Sequence, residues 1–227
     1  MNYLHIISIY SPIISVLVFI ILLKRNNTRL KWIFFYVLTI GLLVDLSCLY
    51  LIKNALSTLW LINLFTLVES ELLFLFFLLL FDKNKLFKNI TLIFAIAYLG
   101  IWITNNLIIG SIYKYDYLTQ TIEFILLLFL CLLYYYQKAK ISDEIFIYNT
   151  YEFWLVTALL IYCSGTFFSF FIPININEKT GDAILFEYIS RIGNILKNIL
   201  IAIAFCMQNK PPSNNLAKAN SMYTIKY

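Results

Sequence analysis

The chain has 227 residues, of which 62% are hydrophobic, 18% aromatic and only 13% charged, with a formal net charge of +5. Ordinary soluble domains carry roughly 25% charged residues, because a chain folded in water must present a polar exterior. The composition therefore excludes a water-soluble globular domain, whereas lipid solvates apolar side chains on the outside of a fold as well as inside it.

A helix needs ~20 apolar residues to cross the ~30 Å hydrocarbon core of a bilayer. Seven such stretches occur, at residues 4–23, 32–52, 59–81, 90–110, 118–137, 153–172 and 188–207. They define an all-α, polytopic membrane bundle of seven transmembrane helices occupying residues 1–207. Residues 208–227 form a short polar tail containing Pro211 and Pro212. No connection is long enough to fold as a separate soluble domain.

The first stretch has no basic residue before it and no small-x-small cleavage site, so it is expected to stay as a helix rather than be removed as a leader. Ser8, Ser11, Pro12 and Ser15 share one of its faces, with His5 above them. The second stretch carries Asp45 and the third carries Glu69 and Glu71. Two residues apart on a helix means about 200° apart, so these glutamates cannot both face one site. Glu69 is preferred, because Thr66 lies a turn before it and Ser70 is adjacent. In the fifth stretch Thr119, Gln120 and Glu123 lie together, and in the seventh Glu187, Arg191, Asn194 and Asn198 form one stripe, with Lys197 near the midplane. The third and fifth stretches echo each other, with an early glutamate and a lysine at the far end (Lys83, Lys138). Two helices with similar polar ends explain this more simply than an internal repeat.

Lysine and arginine fix the expected orientation. Twelve fall on one side: Lys24, Arg25, Arg29 and Lys31, then Lys83, Lys85 and Lys88, then Lys138 and Lys140, then Lys210, Lys218 and Lys226. Only Lys53, Lys114 and Lys179 fall on the other. The N-terminus is expected outside and the C-terminus in the cytoplasm. The net charge is this topology signal, and no aqueous basic domain exists to bind nucleic acid.

An intramembrane charge costs ~2.5–3.5 kcal/mol on insertion scales and usually faces a bundle interior or a cavity. The candidate cluster is Asp45, Glu69, Glu123, Arg191, Asn194, Lys197 and Asn198, with Arg191 balanced by one of the acids. Two readings stay open: a water-accessible ligand pocket in the outer half, or a buried polar network that only fixes helix packing. Cys48, Cys131, Cys163 and Cys206 all fall within helices and read as small packing residues. A single histidine and no close cysteine pair argue against a metal site. Enzymatic chemistry lacks its usual marks, with no Gly-x-Ser-x-Gly elbow and no phosphate-cradling glycine loop. Lys197 sits where rhodopsins attach retinal, but Gly193 stands one turn before it where microbial rhodopsins carry an acid. No cofactor is expected.

Tyr151-Glu152-Phe153-Trp154 leads into Leu160-Ile161-Tyr162-Cys163-Ser164-Gly165-Thr166-Phe167-Phe168. This resembles a sixth-helix signature of small seven-helix bacterial membrane proteins. The early glutamates of the third and fifth stretches and Asn194 with Asn198 fit the same pattern, while Lys197 departs from it. Those proteins largely lack an assigned function and are often encoded beside sensor histidine kinases. The resemblance implies a sensory or accessory module in a bacterial cytoplasmic membrane, working through a partner such as a membrane histidine kinase. The alternative is a small-solute or ion-coupled transporter, which would need a polar path through the midplane. The basic segment at residues 24–31 is expected to touch that partner or anionic lipid.

Overall fold

The computed structural model describes residues 3–24, 28–140, 147–175 and 181–207, with side-chain surroundings left out for 147, 168–175 and 181–187. Among the described residues there are seven α-helices and no strand. They are α1 (Tyr3–Ile21), α2 (Arg29–Lys53), α3 (Leu59–Leu80), α4 (Lys85–Ile103), α5 (Tyr117–Lys140), α6 (Tyr151–Asn175) and α7 (Gly181–Cys206). A π-helical turn over Thr104–Ile109 prolongs α4, and a 3₁₀ turn over Ile147–Asn149 precedes α6. Every predicted stretch falls on a helix. Among the described residues six helices are long and apolar enough to cross a membrane, namely α1 to α5 and the Tyr188–Cys206 part of α7. The described part of α6 that meets the apolar criterion, Tyr151–Phe167, is shorter.

Local chemistry sets the helix ends. Asn84 caps α4 by accepting from the Phe87 amide at 3.3 Å, and Asp116 caps α5 by accepting from the Thr119 amide at 3.0 Å. α2 closes in a Schellman arrangement, with the Leu56 amide donating to Leu51 O at 2.9 Å and the Ala55 amide to Ile52 O at 3.0 Å. Ala55 is left-handed there, at φ 55°. Inside α1, Pro12 removes the amide that would bond the Ser8 carbonyl. Ser11 Oγ donates to that carbonyl at 2.8 Å instead, so no backbone acceptor is stranded.

The helices pack in chain order around a ring that α7 closes against α1. The α6–α7 contact is the most extensive, because two glycines face each other. A Cβ on Gly193 would lie 3.6 Å from Ile161 O and 3.9 Å from Gly165 Cα. Small residues let membrane helices approach this closely. The outside of the ring is apolar, with Leu43, Ile93, Ile96 and Leu132 each about 60% exposed. Such a belt suits lipid and would be unstable in water.

The two halves of the ring differ. At the end bearing the lysine-rich connections the interior is aromatic. Phe19 stacks on Phe35 at 4.5 Å and meets Phe205 at 4.9 Å, Phe34 meets Phe76 at 4.8 Å, and Phe81 meets Phe87 at 5.5 Å. Lys31 is fully buried at this end, donating to Met207 O at 2.7 Å with its Nζ 4.7 Å from the Tyr151 ring centre. It thus satisfies a carbonyl at the C-terminus of α7, where the helix dipole favours a cation. Lys31 thus serves the fold, while Lys24 and Arg29 of the same basic segment are exposed. Beyond α3, Asp82 pairs with Lys88 at 2.6 Å, and this bond holds the carboxyl below the usual carboxylate range.

Candidate functional site

The opposite half is polar, and its first component is a seam. The serines of α1 and the asparagines of α7, which the sequence presents as two separate stripes, lock together. Asn194 Nδ2 donates to Ser8 Oγ at 3.1 Å and Asn198 Nδ2 to Ser11 Oγ at 2.6 Å. Ser15 Oγ donates to Asn198 O at 2.5 Å. At the top of the seam Arg191 Nη1 bonds His5 Nδ1. Each intramembrane hydrogen bond contributes about 0.6–2 kcal/mol, so the seam is structural glue of ordinary strength.

The second component is a cavity of about 220 Å³ between α1, α2, α3, α6 and α7. Its charged walls are Asp45, Glu69, Arg191 and Lys197, and Ser8, Thr166, Ser190 and Asn194 add neutral polar groups. Lys197 is buried and its Nζ lies 3.7 Å from the centre of the Tyr162 ring, a close cation–π contact. Glu69, Asp45 and Glu123 are within electrostatic reach of Lys197. None of them forms an ion pair with it at 4 Å or less, since Asp82–Lys88 is the sole such pair among the described residues. The acids and the lysine therefore surround a gap rather than neutralising one another by contact.

Five of the seven expected cluster residues, Asp45, Glu69, Arg191, Asn194 and Lys197, line this one cavity. The other two lie in the same polar half but outside the cavity lining. Glu123 does not reach the cavity; it is 2% exposed and sits behind the wall beside Tyr98, whose hydroxyl has no hydrogen bond of normal geometry. Asn198 is 1% exposed and belongs to the α1 seam. Arg191 bonds His5, and Lys197 is a cation within reach of Glu69, Asp45 and Glu123. Glu71 is absent from the cavity lining, as its angular separation from Glu69 requires. The Glu187 side chain, expected at the head of the α7 stripe, lies outside the described residues.

A polar knot not foreseen from the sequence closes the same end. Asp116 accepts from Asn105 Nδ2 at 2.6 Å and from Asn106 Nδ2. Asn63 Nδ2 donates to Ile112 O and Lys114 O, both at 2.8 Å, and Asn63 O accepts from Trp102 Nε1 at 3.1 Å. The knot ties the connection between α4 and α5 down onto α3. The signal available in the sequence was Asp116 three residues before Thr119, an N-cap pattern, with three asparagines near apolar helix ends.

No group of three or more His, Cys, Asp or Glu side chains among the described residues is placed to hold a metal ion. Comparison of the chain with protein-family models, with curated proteins and with solved structures finds no match.

Proposed function

We propose that this chain is a seven-span protein of a bacterial cytoplasmic membrane, N-terminus outside, that serves as a receptor-like sensory or accessory subunit. A small solute enters the charged cavity from outside. Its different affinity for two arrangements of the helices shifts their balance, and the cytoplasmic ends relay the shift to a partner, for which a membrane histidine kinase is the first candidate. The observation that carries this reading is the division of the bundle. A cavity walled by Asp45, Glu69, Arg191 and Lys197 sits in one half, over a packed interior including Phe34, Phe74, Phe77, Leu127 and Phe205 in the other. That arrangement holds a ligand without giving it a way through.

Transport is the second reading, and one observation favours it. A further opening of about 480 Å³ lies at the lysine-rich end, lined by Leu30, Leu79, Asp82, Gln137, Lys138 and Glu152 among others. Two openings at opposite ends could be the two faces of an alternating-access carrier. Purification from native membranes in mild detergent, followed by mass spectrometry, separates the readings. A stoichiometric kinase supports the receptor subunit; a chain that purifies alone and carries solute across reconstituted vesicles establishes the carrier.

A further inference from the structure

We infer that the groove between the start of α4 and the end of α5 seats an anionic phospholipid, its acyl region on an apolar floor and its phosphate on the flanking lysines. The groove measures about 440 Å³ and is lined by Asn84, Leu86, Phe87, Tyr136, Gln137 and Lys140. It lies at the lysine-rich end of the bundle, where two helices of membrane-crossing length leave the apolar layer.

The lining has two levels. Phe87 is buried, and its ring stands 6.5 Å from that of Tyr136, so the two make an aromatic floor. Leu86 and Tyr136 are 61% and 59% exposed, apolar surface that an aliphatic chain would cover. Two turns deeper on each helix, Phe94 and Phe129 meet at 5.7 Å and close the groove below.

The rim is rich in donors. Asn84 spends its Oδ1 on the Phe87 amide at 3.3 Å, which leaves its NH2 to donate elsewhere. Gln137 and Lys140 add further donors, and Lys85 is exposed between Asn84 and Leu86 in the chain. Neither Lys85 nor Lys140 forms an ion pair among the described residues, whereas Lys88 is taken by Asp82 at 2.6 Å. No acid lines the groove, and the first turn of α4 contains none. Asp143 and Glu144, the next acids after Lys140, lie outside the described residues.

An apolar floor under a cationic, donor-bearing rim at the membrane boundary matches a phospholipid, whose phosphate takes charge-assisted hydrogen bonds from lysine. A net negative headgroup is favoured over choline, which would bring a second cation against Lys85 and Lys140.

In the test, the full chain in mild detergent is titrated separately with phosphatidylglycerol and with phosphatidylcholine of the same acyl chains. Native mass spectrometry reads the dissociation constant of the first lipid bound. Phosphatidylglycerol should bind more tightly, and this preference is measured with Asp143 and Glu144 present. Lys85→Gln and Lys140→Gln should each weaken it about fivefold, the factor a lysine contributes beside anionic lipid, and leave phosphatidylcholine unchanged. Leu86→Ser should weaken both lipids alike. Lys24→Gln combined with Arg29→Gln, exposed at the same end but beside α1 and on α2, should alter neither.

Equal binding of the two lipids by the unsubstituted protein overturns the proposal. So does an equal loss in the Lys24 and Arg29 double variant, which would mean diffuse attraction to the whole basic end. Displacement of phosphatidylglycerol by glycerol phosphate at the same concentration would make the occupant a soluble phosphate. A dimer that forms as the lipid leaves would make it a second copy of the chain. The lipid comparison and both competitions use the unsubstituted protein, so they decide the matter even where a variant does not fold.

Discussion

At the scale of single residues, the third helix offers an internal comparison. Glu69 borders the cavity and lies in the field of Lys197, whereas Glu71 turns away and its Oε1 is buried without a hydrogen-bond partner. An unsatisfied buried polar atom costs about 1–3 kcal/mol, so Glu71→Leu removes a cost and should leave the unfolding midpoint unchanged or raised. Glu69→Leu takes away one of the three acids that offset a buried lysine. With Asp45 and Glu123 remaining, a loss of about 1–3 kcal/mol is expected, less than for a fully uncompensated charge. Thermal unfolding in nanodiscs ranks the two variants, and a larger loss for Glu71→Leu would show that the α3 face has been misassigned. The ionisable residues were conspicuous in the sequence because lipid makes every charge expensive. Their neighbours were not legible. Nothing in the spacing within α7 reveals that His5 of α1 meets Arg191, since helical periodicity gives faces and not the partners those faces meet.

At the scale of elements, two turns test the backbone in opposite directions. Ala55 sits left-handed at the end of α2, a position where glycine pays no Cβ penalty. Ala55→Gly should therefore stabilise the protein by about 1 kcal/mol, read as a higher unfolding midpoint. Gly110 is the converse case. It ends the π turn with its amide 3.0 Å from Asn105 O, and a Cβ added there would fall 2.3 Å from that same oxygen. Gly110→Ala must push the turn apart and, with it, the Asn105–Asp116–Asn106 knot. The expected result is a lower midpoint and faster amide exchange through residues 104–116, and an unchanged exchange pattern would deny the knot its anchoring role. The helices themselves were legible as apolar stretches of membrane-crossing length. This knot was not, because its asparagines and Asp116 come together only through a π turn, which hydrophobic periodicity does not announce.

At the scale of the whole molecule, the asymmetry between a charged half and an aromatic half decides what the bundle can do. A charged cavity lies in one half, and an apolar, aromatic layer separates it from the opening at the lysine-rich end. A background with Cys48, Cys131, Cys163 and Cys206 replaced by alanine allows this to be mapped with single cysteines and a charged, membrane-impermeant thiol reagent. Thr166→Cys places a thiol in the cavity wall. It should react from the side holding the N-terminus, and protection by a bound solute would mark the cavity as its site. Leu127→Cys and Leu159→Cys place thiols in the packed interior, where the native side chains are 0% and 1% exposed. These should stay unreactive from both sides, because no water path reaches them. Lys83→Cys, in the lysine-rich connection after α3, should react only from the side opposite the N-terminus, the outcome that tests the proposed orientation. The decisive position is Leu127, since a carrier must periodically open the layer it occupies. Reaction there that accelerates with solute would turn the two end openings into one transport path. Inertness there, combined with solute protection at Thr166, leaves a bundle that binds on one side and can only report the event to the other.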